Sequence, residues 1–155
     1  MVVAIHQPQY LPWLPYFLKI QKSEKFILLD SVSFQKNGLQ NRNKIKTAQG
    51  SHWLTVPVVK NSGQKIIDTK IDNSTNWKKK HWDTIVLNYG KTPHFKKYSE
   101  EIEQVYNEDW HDLALLNKTL LEIILGWMDI KTEILSSSKI NSIGTGSELI
   151  LNICN

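Results

Sequence analysis

The sequence predicts an α/β domain: a parallel-sheet core, a small basic β-hairpin inserted into it, and a helical second half. Three observations carry this. Val2 to Ile5 (VVAI) and Phe26 to Leu29 (FILL) are short apolar runs that read as buried strands, joined by a brief amphipathic stretch. After Asp30 the chain turns polar, amide-rich and basic, with Gly38 and Gly50 as breakers. From about Asn76 onward, apolar residues recur at helical spacing.

Taken in order, Pro12 suits the first position of a helix, where its missing N–H is not needed. That helix is expected to reach about Lys22, with Leu14, Phe17, Leu18 and Ile20 apolar. Two apolar strands joined so briefly form a βαβ unit, most simply parallel. Lys44 to Thr47 and Trp53 to Val59 read as a hairpin turning near Gln49-Gly50, and Ile66 to Ile71 (IIDTKI) alternates as a further strand. Trp77, Ile85 and Tyr89 mark a helix that Thr92-Pro93 breaks. The next helix carries Phe95, Tyr98, Ile102, Val105 and Tyr106 on one side. Asp109 to Trp127 is the clearest helix, with Leu113, Leu116, Leu120, Ile123, Ile124 and Trp127 forming a wide apolar face. Thr132 to Leu135 reads as a short strand, SSSK as a loop, and Thr145 as the cap of a last helix running to Asn155.

A length of 155 residues suits a single domain spanning 1–155, and 41% hydrophobic with 22% charged residues is ordinary globular composition. Signal-peptide regions and a membrane-spanning apolar run are both missing from the sequence, so the expected location is the cytoplasm. A single cysteine, Cys154, excludes a disulfide framework and a cysteine metal site. The net charge of +4 is uneven: residues 1–80 hold 13 Lys/Arg against 4 Asp/Glu, and residues 81–155 hold 6 against 11. The basic half therefore either faces an anion or is neutralised by the other half across the domain.

In an open α/β sheet, ligands bind outside the carboxyl ends of the strands. The loop after the first strand, HQPQYLPW, holds three prolines with Pro15, which stiffen it. His6, Gln7 and Tyr10 would then be fixed at the mouth of a site beside a helix N-terminus that favours an anion. The alternative is that Tyr10, Trp13 and Tyr16 are core and the prolines only shape a turn. Asp30, at the next strand end, could bind a hydroxyl, orient a base or coordinate a metal such as Mg²⁺; it could equally cap a turn. Behind it, Gln35, Lys36, Gln40, Asn41, Arg42, Asn43 and Lys44 supply amide and cationic donors, with no acid between Asp30 and Asp68. In WKKKHW, Trp77 and His81 share a helix face, and His81 could donate to a phosphate, act as acid/base, or simply be surface. No other histidine has partners at metal-ligand spacing, and no P-loop, nucleophile elbow or HExxH occurs.

Several stretches together carry a resemblance: IHQPQYLPWLPYFLKI at 5–20, FILLDSVSFQKNGLQNRNKIKT at 26–47 and WLTVPV at 53–58. To these are added WKKKHW at 77–82, LLNKTLL at 115–121 and TEILSSS at 132–138. The sequence resembles the WbqC-like family of bacteria, associated with surface-polysaccharide (O-antigen) gene clusters. Pro15 stands where that family usually has glycine, and Ser31 where a second acidic residue is common. Family members typically continue with a further strand and a Gly-rich loop, so a C-terminally incomplete domain is expected. In layout the opening is similar to Rossmann-like HUP-type nucleotidylyltransferases, which place a His-containing loop after the first strand. His6 matches that place, without the second histidine and glycine of HxGH. The resemblance implies a transferase-like enzyme of surface-polysaccharide biosynthesis acting on a nucleotide-sugar or other phosphate-bearing small molecule. His6, Asp30 and His81 would be its catalytic candidates, with Lys36 and Arg42 on the phosphates. The competing expectation is a nucleic-acid-binding module using the basic and aromatic segments 36–53 and 77–82.

Overall fold

The computed structural model describes residues 1–140 and 143–154. Its elements are β1 (Val3–His6), α1 (Leu14–Gln21), β2 (Lys25–Leu28), β3 (Arg42–Thr47), β4 (Gly50–Thr55), α2 (Trp77–Tyr89), α3 (Phe95–Asn107), α4 (Leu113–Trp127), β5 (Glu133–Ser136) and α5 (Gly146–Cys154). Mixed α/β architecture is confirmed. Three strands form a parallel sheet in the order β1-β2-β5, and β3 and β4 pair separately as the antiparallel hairpin.

The β1-α1-β2 unit is parallel, in register Val3 to Lys25 and His6 to Leu28. Its helix starts later than expected. Trp13 is its N-cap in an extended conformation, and Pro15, not Pro12, occupies the first turn. Leu11 adopts φ 46°, a left-handed turn that redirects the chain just before Pro12.

Residues 66–71 correct the sequence reading. Ile66 and Ile71 are both buried, yet the segment is a turn flanked by single bridges, Val58 to Ile71 and Lys70 to Asp112. Local bonds win here: the Asp68 and Thr69 amides donate to the Lys65 and Ile66 carbonyls, and Thr69 Oγ1 donates to the Lys65 carbonyl. The hairpin is tighter than read. Its strands meet at Gly50, whose φ of +112° closes the turn, and Pro57 follows the end of β4. The clearest helix begins at Leu113 rather than Asp109, with Asp112 as its N-cap. The serines after β5 form one 3-10 turn, Ser137–Lys139. The expected end of the last helix at Asn155 lies outside the described residues.

Two apolar clusters make the core. One joins Tyr10, Leu54, Val56, Trp77, Tyr106 and the first turns of α4; the other joins Tyr16, Phe17, Ile20, Phe26, Leu28 and the last turns of α4. Leu113, Leu116 and Leu120 face the first cluster, and Leu121 and Leu125 the second. Between them the wholly enclosed Asn117 donates its Nδ2 to the Gln40 carbonyl at 2.7 Å. Among the described residues, no helix is long and apolar enough to cross a membrane. Leu120→Ala, at a position with no exposure, is expected to destabilise the fold by about 2–5 kcal/mol, read from urea denaturation. A loss under about 1 kcal/mol would contradict this packing.

Candidate functional site

At the carboxyl ends of the sheet, Asp30 is a fastener. It is buried, and its Oδ1 accepts from Ser137 Oγ at 3.0 Å and the Ser138 amide at 2.8 Å, while Oδ2 accepts from Ser138 Oγ at 2.8 Å. Ser137 Oγ in turn accepts from the amides of Asp30 and Ser31 at 3.1 and 3.2 Å. A buried carboxylate needs such donors, and these lock the β2 exit to the β5 exit. The expectation of Asp30 as an unengaged base is corrected on this ground. Its edge still reaches a cleft of about 260 Å³, together with Pro8, Asp112, Lys118, Ser138 and Lys139. Sequence reading took the serines only as a loop and missed Lys118 and Lys139. The available signal was a serine run directly after an apolar strand.

The opening loop is stitched to the amide-rich loop. Gln7 Oε1 accepts from Gln40 Nε2 at 2.7 Å, and Gln40 Oε1 accepts from the Gln35 amide at 3.2 Å. The Tyr10 amide donates to the Leu39 carbonyl at 3.0 Å, and Asn43 Nδ2 to the Leu11 carbonyl at 2.7 Å. A second cavity of about 280 Å³ opens along this seam, lined by Gln7, Gln9, Gln35, Gly38 and Gln40. Pro8 lines both this cavity and the Asp30 cleft. His6 lines neither; its Nδ1 lies 3.0 Å from the Gln7 carbonyl and its ring meets Tyr16 edge-on at 4.9 Å.

The largest of these cavities, about 590 Å³, lies on the outer side of the amide-rich loop. Lys36, Arg42 and Lys60 line it against a single carboxylate, Asp72. Arg42 is held from behind: Nη2 donates to the Asn37 carbonyl at 2.6 Å, and its guanidinium lies 4.3 Å from the centre of the Trp53 ring. Its Nε is enclosed without a protein partner, and so is Oδ1 of the neighbouring Asn41. Lys44 does not line the cavity; its Nζ sits 5.0 Å from the Trp53 ring. The structure thus brings Lys36, Asn41 and Arg42 together, places Gln7 and Gln35 on a second cavity, and leaves Asp30 on a third. Among the described residues, no three His, Cys, Asp or Glu side chains gather as a metal site.

Tyr10 and His81 are corrected from surface or site residues to core. Tyr10 is wholly enclosed, and its hydroxyl meets His81 Nδ1 at 2.9 Å and the Tyr106 hydroxyl. The ring of Trp77 closes over His81 at 5.3 Å, as the shared helix face predicts. Burial drives the His81 pKa down to about 4, opposed by a hydrogen bond to the Thr55 backbone and aided by the nearby His52. Neutral His81 therefore accepts at Nδ1 from Tyr10, which accepts from Tyr106. Burial raises both tyrosines well above the ordinary phenol range.

Two outcomes follow from these contacts. The unfolded chain protonates His81 near 6.5 and the folded one near 4, so its contribution is full above 6.5 and falls as pH drops through that window. The expected loss approaches about 3 kcal/mol by pH 4. Urea midpoints measured from pH 7 to 4 should show this slope, flattened in His81→Gln; equal slopes would contradict the buried neutral state. Ser137→Ala removes one donor from Asp30 and the acceptor of two amides. It should destabilise by about 1–3 kcal/mol, measured by thermal unfolding.

Comparison with known proteins supplies the family. Residues 7–155 match the model of the WbqC-like protein family. The chain is 39% identical over 155 residues to the uncharacterized protein Rv1507c of Mycobacterium tuberculosis, covering 98% of this chain and 67% of that protein. No solved structure matches it. With the family match spanning nearly the whole sequence and in the same order as the stretches that define the loops above, this chain belongs to the WbqC-like protein family.

Proposed function

We propose that this protein binds a nucleotide-activated, phosphate-bearing small molecule and serves group transfer in bacterial surface-polysaccharide assembly. The observation that carries the reading is the 590 Å³ cavity with three cations against one carboxylate. Arg42 is pre-positioned there by Asn37 and Trp53, with its Nε enclosed and unpartnered. A fixed guanidinium gives a planar fork for phosphate oxygens, and Lys36 and Lys60 add mobile charge. Asn41 Oδ1 is an acceptor at the same wall, suited to a hydroxyl or amide of the ligand. Hydrogen bonds from Ser74 hold the Asp72 carboxyl below its usual range, so it is ionised and available to a sugar hydroxyl.

The parallel β1-β2-β5 sheet, with polar cavities at the carboxyl ends of its strands, supports a Rossmann-like, HUP-type reading of the core. Transfer chemistry of this kind rests on positioning and charge stabilisation. Lys36 and Arg42 would hold the phosphates. Asp30, Lys118 and Lys139, at the strand ends, would receive the acceptor. His6, beside Gln7, would serve as the proton-handling group at the β1 exit. Mg²⁺ would enter with the phosphates.

A second reading has one observation of its own. Arg42 and Lys44 both lie against the half-exposed ring of Trp53, an arrangement that also suits stacking of a single-stranded nucleic acid. Isothermal titration with a panel of nucleotides, nucleotide-sugars and a short oligonucleotide, with and without Mg²⁺, separates the two. The small-molecule reading expects a mononucleotide or nucleotide-sugar to bind, with Arg42→Ala losing about 10- to 100-fold in affinity. Binding by the oligonucleotide alone, with a steep salt slope, would replace it with the nucleic-acid reading.

A further inference from the structure

A separate groove of about 350 Å³ opens where α2, α3 and α4 meet β3. Its lining is almost wholly carbon, with the rings of Trp82, Phe95, Tyr98 and Trp127 and the chains of Ile85 and Ile102. The rings are paired: Trp82 stacks on Phe95 at 6.0 Å, and Tyr98 meets Trp127 at 4.8 Å. The indole N–H of Trp82 donates to Glu103 at 3.2 Å and that of Trp127 to Glu101 at 2.7 Å. The polar edges of both indoles are therefore satisfied by carboxylates, leaving their apolar surface to the groove. None of these residues lines the three polar cavities.

One end of the groove is cationic. Between Asp83 and Glu100 the sequence has no carboxylate, while Lys91, His94, Lys96 and Lys97 fall within that interval and are exposed. Lys97 Nζ lies 5.1 Å from the ring of Tyr98, so one ammonium is held over a lining residue. The first turn of α3 contains no acidic residue and has no side-chain cap, and its dipole favours an anion at the same end. Glu101 and Glu103 lie further along α3; six residues of helix, from Lys97 to Glu103, span about 9 Å. The groove therefore has an apolar body and a single positive end.

We infer that this groove binds a single-chain anionic amphiphile, a fatty carboxylate or alkyl phosphate. Its chain lies among the four rings, and its head sits at Lys91, Lys96, Lys97 and the start of α3. At about 30 Å³ per water-sized group, the space accommodates about a dozen chain atoms. An enclosed aromatic wall with charge at one end is complementary to a ligand with the same division. A second copy of the chain or a peptide would have to supply a carboxylate at the mouth as well as an apolar insert.

The test uses the full chain, intrinsic tryptophan fluorescence and isothermal titration, with decyl phosphate, decyltrimethylammonium and inorganic phosphate, the amphiphiles below their micelle concentrations. Decyl phosphate is expected to bind saturably at one site, at least tenfold tighter than decyltrimethylammonium, with inorganic phosphate producing no fluorescence change. The double variant Lys96→Glu with Lys97→Glu should weaken decyl phosphate at least tenfold. Ile102→Trp, which fills the groove, should abolish binding; Ser99→Trp fills it from a less buried position if the first variant does not fold. Arg42→Ala should leave decyl phosphate binding unchanged, so this result stands or falls apart from the nucleotide reading. Equal binding of both amphiphiles, binding that survives a folded groove-filling variant, or association only with anionic vesicles would overturn the inference. So would self-association that covers the groove and excludes decyl phosphate.

Discussion

The structure depends on one helix that is buried on two sides. Leu113, Leu116 and Leu120 of α4 pack against the hairpin, α2 and α3, whereas Leu121 and Leu125 pack against α1 and the parallel sheet. Neither cluster is large enough to hold the chain alone, and α4 makes them one body. The polar seam between them is carried by Asn117, which reaches across to the Gln40 carbonyl. That single bond fixes the amide-rich loop to the pillar, and the loop in turn builds two of the polar cavities. Packing and site are therefore the same constraint seen from two sides.

The prolines of the opening loop fit this arrangement. The loop must leave β1, turn through the left-handed Leu11, deliver Tyr10 into the core and start α1 at Leu14. Unrestrained chain would lose much entropy in holding that path; proline reduces the loss beforehand. Backbone bonds from Tyr10 to Leu39 and side-chain bonds from Gln40 to Gln7 then hold the second loop against the first. Gly38 is required at that contact, since a Cβ there would lie 2.7 Å from Gln40 Oε1 and 3.1 Å from the Gln35 carbonyl.

Both readings of the uneven charge hold, in different places. Lys70 pairs with Asp112, and Lys78 with Asp109 at 3.0 Å, so the basic and acidic halves meet across the domain. Such exposed pairs contribute little to stability. Lys36, Arg42 and Lys60 enter no ion pair among the described residues, and all three line one cavity. The charge that is left unneutralised is thus gathered rather than spread.

Periodicity and turn chemistry were enough to place the βαβ unit, the basic hairpin, the break at Thr92-Pro93 and α4, because each rests on local pattern and local backbone preference. Family membership was legible for a similar reason, in ordered stretches along the whole chain. Residues 66–71 were misread because Ile66 and Ile71 owe their burial to distant elements, not to a strand of their own. Sequence could also nominate Lys36, Asn41 and Arg42 from composition, but only folding separates them from Lys44 and Asn43, which face Trp53 and the opening loop instead. Tyr10, His81 and Tyr106 lie far apart in sequence and become one buried hydrogen-bonded group only when α2 and α3 close over the first loop. Asp30 shows the same limit: its donors, Ser137 and Ser138, come from the other end of the chain. Local propensity determines which elements form. Which side chains stay available for chemistry is decided by long-range burial, and no local pattern encodes that.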